Sequence, residues 1–361
     1  MLNFFYRIGE VFFAVGRGFH PPPEVSYLSP IRRGAETPPY KTSKTLLHGI
    51  ALSSLVGLFI LWLCGAAAAE PSVSLIAVGD IQLGRGVGEA IQKQGADYPF
   101  LKVAKILRSA DITFGNLECA IAEKGRPIPK RYSFKAAPAS LAGVAKAGFD
   151  ILSLANNHSL DCGRSALPES LAALEKYSLS PVGIGNNAQE AALPLIMEKH
   201  GLRIAFLART MFAPEGVIYR EDAPTVAMLE PEELIAEVKA ARKQSDLVVV
   251  SLHWGIEYTR QPQEEQRRLA HRLIDAGAGL ILGHHPHTTQ PVERYHGGLI
   301  AYSLGNFVFD AATPRANKGL MLRCILTKQG IKLAESIPTV IKDCQPRMIK
   351  NGTARRVKPR A

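Results

Sequence analysis

Six times between Val73 and Asn306 an apolar run of strand length ends in a polar residue, usually beside glycine. Val73–Val78 leads into Gly79-Asp80, and Asp111–Phe114 into Gly115-Asn116-Leu117-Glu118. Asp150–Leu154 leads into Asn156-Asn157-His158 with Asp161 close behind, and Asp246–Leu252 into His253-Trp254-Gly255-Ile256-Glu257. Gly279–Leu282 leads into Gly283-His284-His285-Pro286-His287, and Leu299–Leu304 into Gly305-Asn306. Stretches with helical spacing separate the runs: Pro99–Arg108, Leu141–Ala147, Arg164–Tyr177, Pro231–Lys243 and Glu264–Ala276. Continuous apolar strands alternating with amphipathic helices predict a layered α/β domain whose parallel strands are covered on both faces. Further β segments, Gly319–Thr327 and Gly330–Pro338, finish the pattern.

In such a sheet ligands bind outside the carboxyl ends of the strands, where all six polar endings would fall. One ending of this kind starts a turn or caps a helix. Six along one edge are a different matter, because collecting carboxylates, carboxamides and imidazoles in one cleft is costly unless an ion satisfies them. The donor mix suits Mn²⁺, Fe, Zn²⁺ or Mg²⁺, and without a C-x-x-C pair neither structural zinc nor an iron–sulfur cluster is expected. Two cations about 3.5–4 Å apart could generate hydroxide and clamp the attacking and leaving oxygens of a phosphoryl group; a single cation is the alternative. There is no G-x-S-x-G elbow and no Walker lysine, and Gly84, Gly86 and Gly88 miss the dinucleotide-binding spacing.

The series Gly79-Asp80, Asn116-Leu117-Glu118, Asn156-Asn157-His158 with Asp161 and Gly163, His253-Trp254-Gly255-x-Glu257-Tyr258, His285-Pro286-His287 and Tyr302-Ser303-Leu304-Gly305-Asn306-Phe307 resembles the CapA family. These are bacterial capsule and poly-γ-glutamate synthesis proteins related to the calcineurin-like metallophosphoesterases. The resemblance implies a four-layer αββα sandwich of the metallophosphatase type over 72–341, with divalent metal at the strand ends. By motif Asp80, Glu118, Asn157, His253, His285 and His287 would be metal ligands, with Asn116 as the alternative to Glu118 in the bridging place. His158, Asp161 and Glu257 would be catalytic, and Asn156 and Asn306 supporting. His284 falls to packing or support. The wider superfamily begins with Asp-x-His and carries Gly-Asp on its second strand, whereas this chain has Asp80-Ile81-Gln82 and Gly115-Asn116.

Two functions fit these residues. One is a hydrolase of phosphoesterase type in which metal-bound hydroxide attacks a phosphoester or acyl link of an anionic envelope polymer. The other is a non-catalytic, polymer-binding or export component of a capsule-synthesis complex.

The formal charge of +11 is no sign of nucleic-acid binding. Lys342–Ala361 carries seven basic residues and one acid, the first seventy residues a net +2, and 71–341 only +3. The excess reads as a basic tail suited to acidic polymer or anionic membrane, without aromatic residues on which bases could stack. Residues 50–69 are uncharged and long enough to span a bilayer core of about 30 Å. Lysines on the N-terminal side of this 46–69 segment would keep 1–45, which is rich in Pro and aromatics and reads as disordered or untranslated, in the cytoplasm. The chain beyond the apolar segment would be exported, either anchored at the outer face of the membrane or released by cleavage near Ala68. Cys119 and Cys162 each follow an acid at a strand end, so they are either a bridge or a pair of buried thiols.

Overall fold

The computed structural model describes residues 70–310, 314, 316–349 and 354–358. These belong to one compact unit, Ala68–Ala361. The N-terminal extension and the apolar segment 46–69 lie outside the described residues, among which no helix is long and apolar enough to cross a membrane.

The chain builds one sheet, then a second, then returns to the first. Strands β1 (Ser72–Ile81), β2 (Ile112–Leu117), β3 (Ile151–Ser153) and β4 (Ser180–Val182) lie parallel in that order. The second sheet holds β5 (Leu195–Lys199), β6 (Leu202–Thr210), β7 (Leu247–His253), β8 (Leu280–His284), β9 (Val292–Tyr295) and β10 (Gly298–Ala301), in the order β9-β10-β8-β7-β6-β5. On the side of β1 away from β2 the chain then adds β11 (Asn306–Val308), parallel to the end of β1, and β12 (Lys318–Thr327), antiparallel to its earlier part, followed by β13 (Gly330–Lys342) and β14 (Gln345–Met348) in an antiparallel run.

Period-two alternation sorts the side chains into layers. Leu75, Ala77 and Phe114 of the first sheet meet Ile204, Phe206, Val249 and Leu282 of the second, with the Phe114 and Phe206 rings stacked at 6.1 Å. On the outer face of the first sheet, Ile76 and Val78 pack against helices α1 (Leu141–Ala147) and α2 (Leu167–Lys176). Val248, Val250 and Ile281 do the same against α3 (Pro231–Gln244) and α4 (Glu264–Asp275). Four layers, αββα, result. Every residue of β7 is buried, as a central strand between two cores requires.

Three segments differ from the sequence reading. Pro99–Arg108 is a 3₁₀ turn, Tyr98–Phe100, followed by a single helical turn, Ala104–Leu107. Arg85–Gln94 is a helix that its glycines concealed; Val87 is buried inside it, and the Asp310 carboxylate bonds both the Arg85 side chain and the Gly86 N–H at its start. The basic C-terminal segment carries two strands, β14 and Arg355–Arg356, both paired to β13. Cys119 and Cys162 are free thiols packed in separate apolar clusters.

Candidate metal centre

Backbone geometry brings the polar endings together. A Cβ on Gly79 would lie 1.8 Å from the Gly305 carbonyl, so only glycine lets β1 and β11 run this close. The same approach lets Asp80 N–H donate to Gly305 O and sets Asp80 opposite Asn306. Gly283 plays this part in β8, where a Cβ would meet Tyr302 O at 1.9 Å. Beyond it His285 (φ 93°) and His287 (φ 54°) adopt left-handed backbone. Non-glycine residues hold such conformations at a cost of about 1–3 kcal/mol each, strain that clusters at functional sites.

Asp80 is fully buried and heavily bonded. Its Oδ1 accepts from Asn116 Nδ2 (2.8 Å) and lies 3.2 Å from His284 Nδ1; its Oδ2 accepts from the His285 N–H (3.4 Å) and lies 3.6 Å from His287 Nδ1. Burial raises the affinity of Asp80 for a proton, but bonding and charge from His284, together with His287 and Asn116, outweigh it and hold the carboxyl below its ordinary value.

Glu118 contrasts with this. It too is fully buried, yet neither carboxylate oxygen has a hydrogen-bond partner. Burial, followed by the charges of Asp80, Glu257 and Asp161, pushes it well above the ordinary carboxylate range. The nearest imidazole nitrogens are His287 Nε2 at 3.8 Å and His253 Nε2 at 3.9 Å. Donor atoms of Asp80, Glu118 and His287 all lie within 4.8 Å of one another, a spacing that one ion could bridge. His287 Nδ1 is bonded to Asn306 Oδ1 at 2.8 Å, which leaves Nε2 as its free donor, the usual arrangement for a ligating histidine. A buried carboxylate without a partner, facing a fixed imidazole and a second carboxylate, fits a divalent cation.

The other expected residues gather around this trio. His285 has an unpartnered Nδ1 and packs on Phe212 at 4.0 Å; burial, then His287, lowers it to about 3, so its ring is neutral and able to ligate. His253 is neutral for the same reasons, burial first and the neighbouring histidines second. Its Nε2 is bonded to Asn157 Oδ1 at 2.9 Å and its Nδ1 lies 3.3 Å from Asn116 Nδ2, so these expected ligands engage one another. Asn116 Oδ1 accepts from Asn156 Nδ2, and Asn156 Oδ1 accepts from His158 N–H, making the asparagines a scaffold. Glu257 is exposed and forms no hydrogen bond or ion pair with a described residue.

His158 Nδ1 lies 2.8 Å from Asp161 Oδ2, which fixes that nitrogen as the protonated one. Asp161 also accepts from the Phe134 N–H and pairs with Lys130 at 2.6 Å, while the Phe134 ring stacks on His158 at 4.0 Å. Arg85 lies 4.8 Å above Phe134. Lys130, Phe134 and Arg85 carry no pattern in the sequence that marks them. His284 could have been found by strand alternation, because it shares the face of Leu280 and Leu282. Gln82 could not: it follows the end of β1, and a register shift between Ala77 and Asp80 breaks the alternation that puts Leu75 and Ala77 on the inner face and Ile76 and Val78 on the outer one. Gln82 is fully buried with neither amide atom partnered.

Two facing sheets with helices outside, and a buried carboxylate–imidazole cluster where the strands end, define an αββα protein with a site suited to a divalent cation. The chain belongs to the bacterial capsule synthesis protein family PGA_cap, which matches residues 74–311. It is 35% identical over 276 residues to the PGA biosynthesis protein CapA of Bacillus subtilis, covering 76% of this chain and 73% of that one. It is 32% identical over 285 residues to the capsule biosynthesis protein CapA of Bacillus anthracis, covering 77% and 69%. Among solved structures, the calcineurin-like phosphoesterase YfkN from Bacillus subtilis overlays with a TM-score of 0.43 and 14% identity, over 79% of this chain and 93% of that one, a likeness too low to bear on function.

Proposed function

We propose that this capsule-synthesis protein is a divalent-cation-dependent hydrolase of phosphoesterase type, acting outside the cytoplasmic membrane on an anionic envelope polymer. The observation that carries the reading is the Glu118 carboxylate, buried without a partner beside Asp80 and His287. These three would hold the cation, with His285 able to add a nitrogen donor. A bound divalent cation supplies Lewis acidity and lowers the pKa of water.

The remaining chemistry falls to the chain's own side chains. Asp161 orients His158, and with Nδ1 committed the ring exchanges protons at Nε2, the part a general acid needs for a leaving oxygen. Phe134 and the Lys130–Asp161 pair keep that ring from turning. The exclusion of water from around Glu118 and His253, both almost inaccessible, strengthens the charge interactions between them and their neighbours.

A second reading, a non-catalytic polymer-binding component, draws on Asn116. Where the wider superfamily has an aspartate, this amide is already engaged by Asp80 and Asn156, so one cation is better provided for than two. Turnover separates the two readings. Manganese- or zinc-loaded protein is offered generic phosphomonoesters, phosphodiesters and poly-γ-glutamate, beside His158→Gln and Glu118→Gln. Hydrolysis that falls at least a hundredfold in both variants supports the enzyme; no turnover of any of them leaves the binding component.

A further inference from the structure

The turn after β7 holds two residues of the His253–Tyr258 motif that the chemistry above does not use, Glu257 and Tyr258. Tyr258 has left-handed backbone, φ 61°, a conformation that glycine, asparagine or aspartate holds at less cost than a bulky aromatic residue. The backbone around it is tied down. Tyr258 N–H donates to Pro286 O at 2.8 Å, and Thr259 O accepts from Thr288 Oγ1 at 2.8 Å and from Gln290 Nε2 at 3.0 Å. The ring gains little burial in return, since Tyr258 is 49% exposed and its hydroxyl bonds no described residue.

That ring stands where the metal centre opens. The centre reaches solvent at His158, His285 and His287, each 6–7% exposed, and the Tyr258 ring lies 6.0 Å from that of His287. Support of His287 does not account for the strain, because His287 is already fixed by Asn306 and packed against Phe309 at 5.3 Å. Glu257, next in the chain, is an exposed carboxylate without a partner among the described residues, near enough to the centre for its charge to raise Glu118. Burial, then the charges of Glu257, Tyr132 and Glu118, raise the Tyr258 phenol, so its hydroxyl stays protonated. An open aromatic face with a free hydroxyl, next to a free carboxylate, matches a sugar ring: the face covers its C–H groups and the carboxylate accepts from its hydroxyls.

We propose that this rim is a saccharide subsite, in which the Tyr258 ring packs on the apolar face of a sugar, Glu257 accepts from its hydroxyls, and the sugar's phosphate group is held at the cation. The proposal rests on the phosphoesterase reading and narrows its substrate class to phosphoesters carried on a sugar ring. A ringless phosphoester gains nothing from Tyr258. A nucleobase is served less well than a sugar, because flat bases are held best between two walls and His287 is the only ring that Tyr258 meets among the described residues.

The test uses the full chain loaded with Zn²⁺ and three non-hydrolysable probes: glucosylmethylphosphonate, ethylphosphonate as the ringless control, and an adenosine 5′-phosphonate. Titration calorimetry is expected to find the glucosyl probe bound about tenfold more tightly than ethylphosphonate, and saturation-transfer NMR to mark its ring C–H protons. Tyr258→Ala should remove most of that preference while zinc content stays at the wild-type level, and Tyr258→Phe should keep it. Equal affinity of wild type for the glucosyl and ringless probes, or tighter binding of the adenosine probe, would overturn the proposal. So would equal losses for both probes in Tyr258→Ala, or loss of zinc from it, since the ring would then serve only His287. Hydrolysis is read separately: a glucosyl probe bound as expected, with glucose 1-phosphate left intact, would sink the hydrolase reading alone.

Discussion

Replacing Glu118 with glutamine exchanges a buried acid, which the fold drives to take up a proton, for an amide that is neutral at every pH and of nearly the same shape, and metal-free and metal-loaded protein should respond in opposite directions. Without a cation, the wild-type fold must either bind that proton or bury a charge beside Asp80. A poorly satisfied buried polar group costs about 1–3 kcal/mol, and the glutamine amide carries its N–H donors without proton uptake. In a domain of this size that corresponds to roughly 2–4 °C of melting temperature per kcal/mol. With Mn²⁺ at about a hundred times its Kd, wild type gains about 2.7 kcal/mol from binding, a gain the variant forfeits. Calorimetry should therefore find Glu118→Gln melting above wild type in EDTA and at or below it in Mn²⁺. If the variant melts lower in EDTA, or gains as much from Mn²⁺ as wild type, Glu118 is not a vacant ligand and the reasoning fails.

Other expectations concern the frame around the site. Phe114→Ala removes a fully buried ring stacked across the two sheets and should destabilise the fold by about 3–5 kcal/mol in urea titrations; a loss under 1 kcal/mol would mean the sheets are not packed as described. Gly283→Ala must push β8 away from Tyr302 O, so cation affinity should fall along with stability, whereas wild-type metal content would show that the histidine turn tolerates the shift. Burial pushes the Cys119 and Cys324 thiols up to about 12. Because the fold keeps these thiols neutral, their contribution to stability is intact below the unfolded value of about 8.5 and is lost as pH rises from there towards 12. Iodoacetamide at pH 8.5 should label half-buried Cys344 first and the other two only on unfolding; rapid native labelling of Cys119, or a recovered Cys119–Cys162 disulfide, would contradict this.

The layers and the strand ends are readable in the sequence because a parallel strand buried on both faces must be an unbroken apolar run, and its end is where the run stops. Asp80, Glu118, His285 and His287 are visible for that reason, and the family motifs add His158 with Asp161. The pattern does not tell which donors remain free. His253 and Asn157 are spent on each other, Asn116 on Asp80 and Asn156, and only side-chain geometry separates them from Glu118. Lys130 and Phe134 reach His158 from an irregular segment with no periodicity to read. The helix Arg85–Gln94 was hidden because Gly86 and Gly88 are poor helix formers, and its contacts with Asp310 depend on a distant part of the chain. The basic tail looked free because its pairing partner, β13, is a neighbour only after folding.

Metal content per chain, measured after reconstitution with Mn²⁺ or Zn²⁺ and removal of excess ion, bears most directly on the centre built by Asp80, Glu118 and His287. At least one ion per wild-type chain is expected, with affinity falling tenfold or more in Asp80→Asn while the circular dichroism spectrum stays unchanged. Less than one ion per wild-type chain, or equal retention in Asp80→Asn, would contradict it.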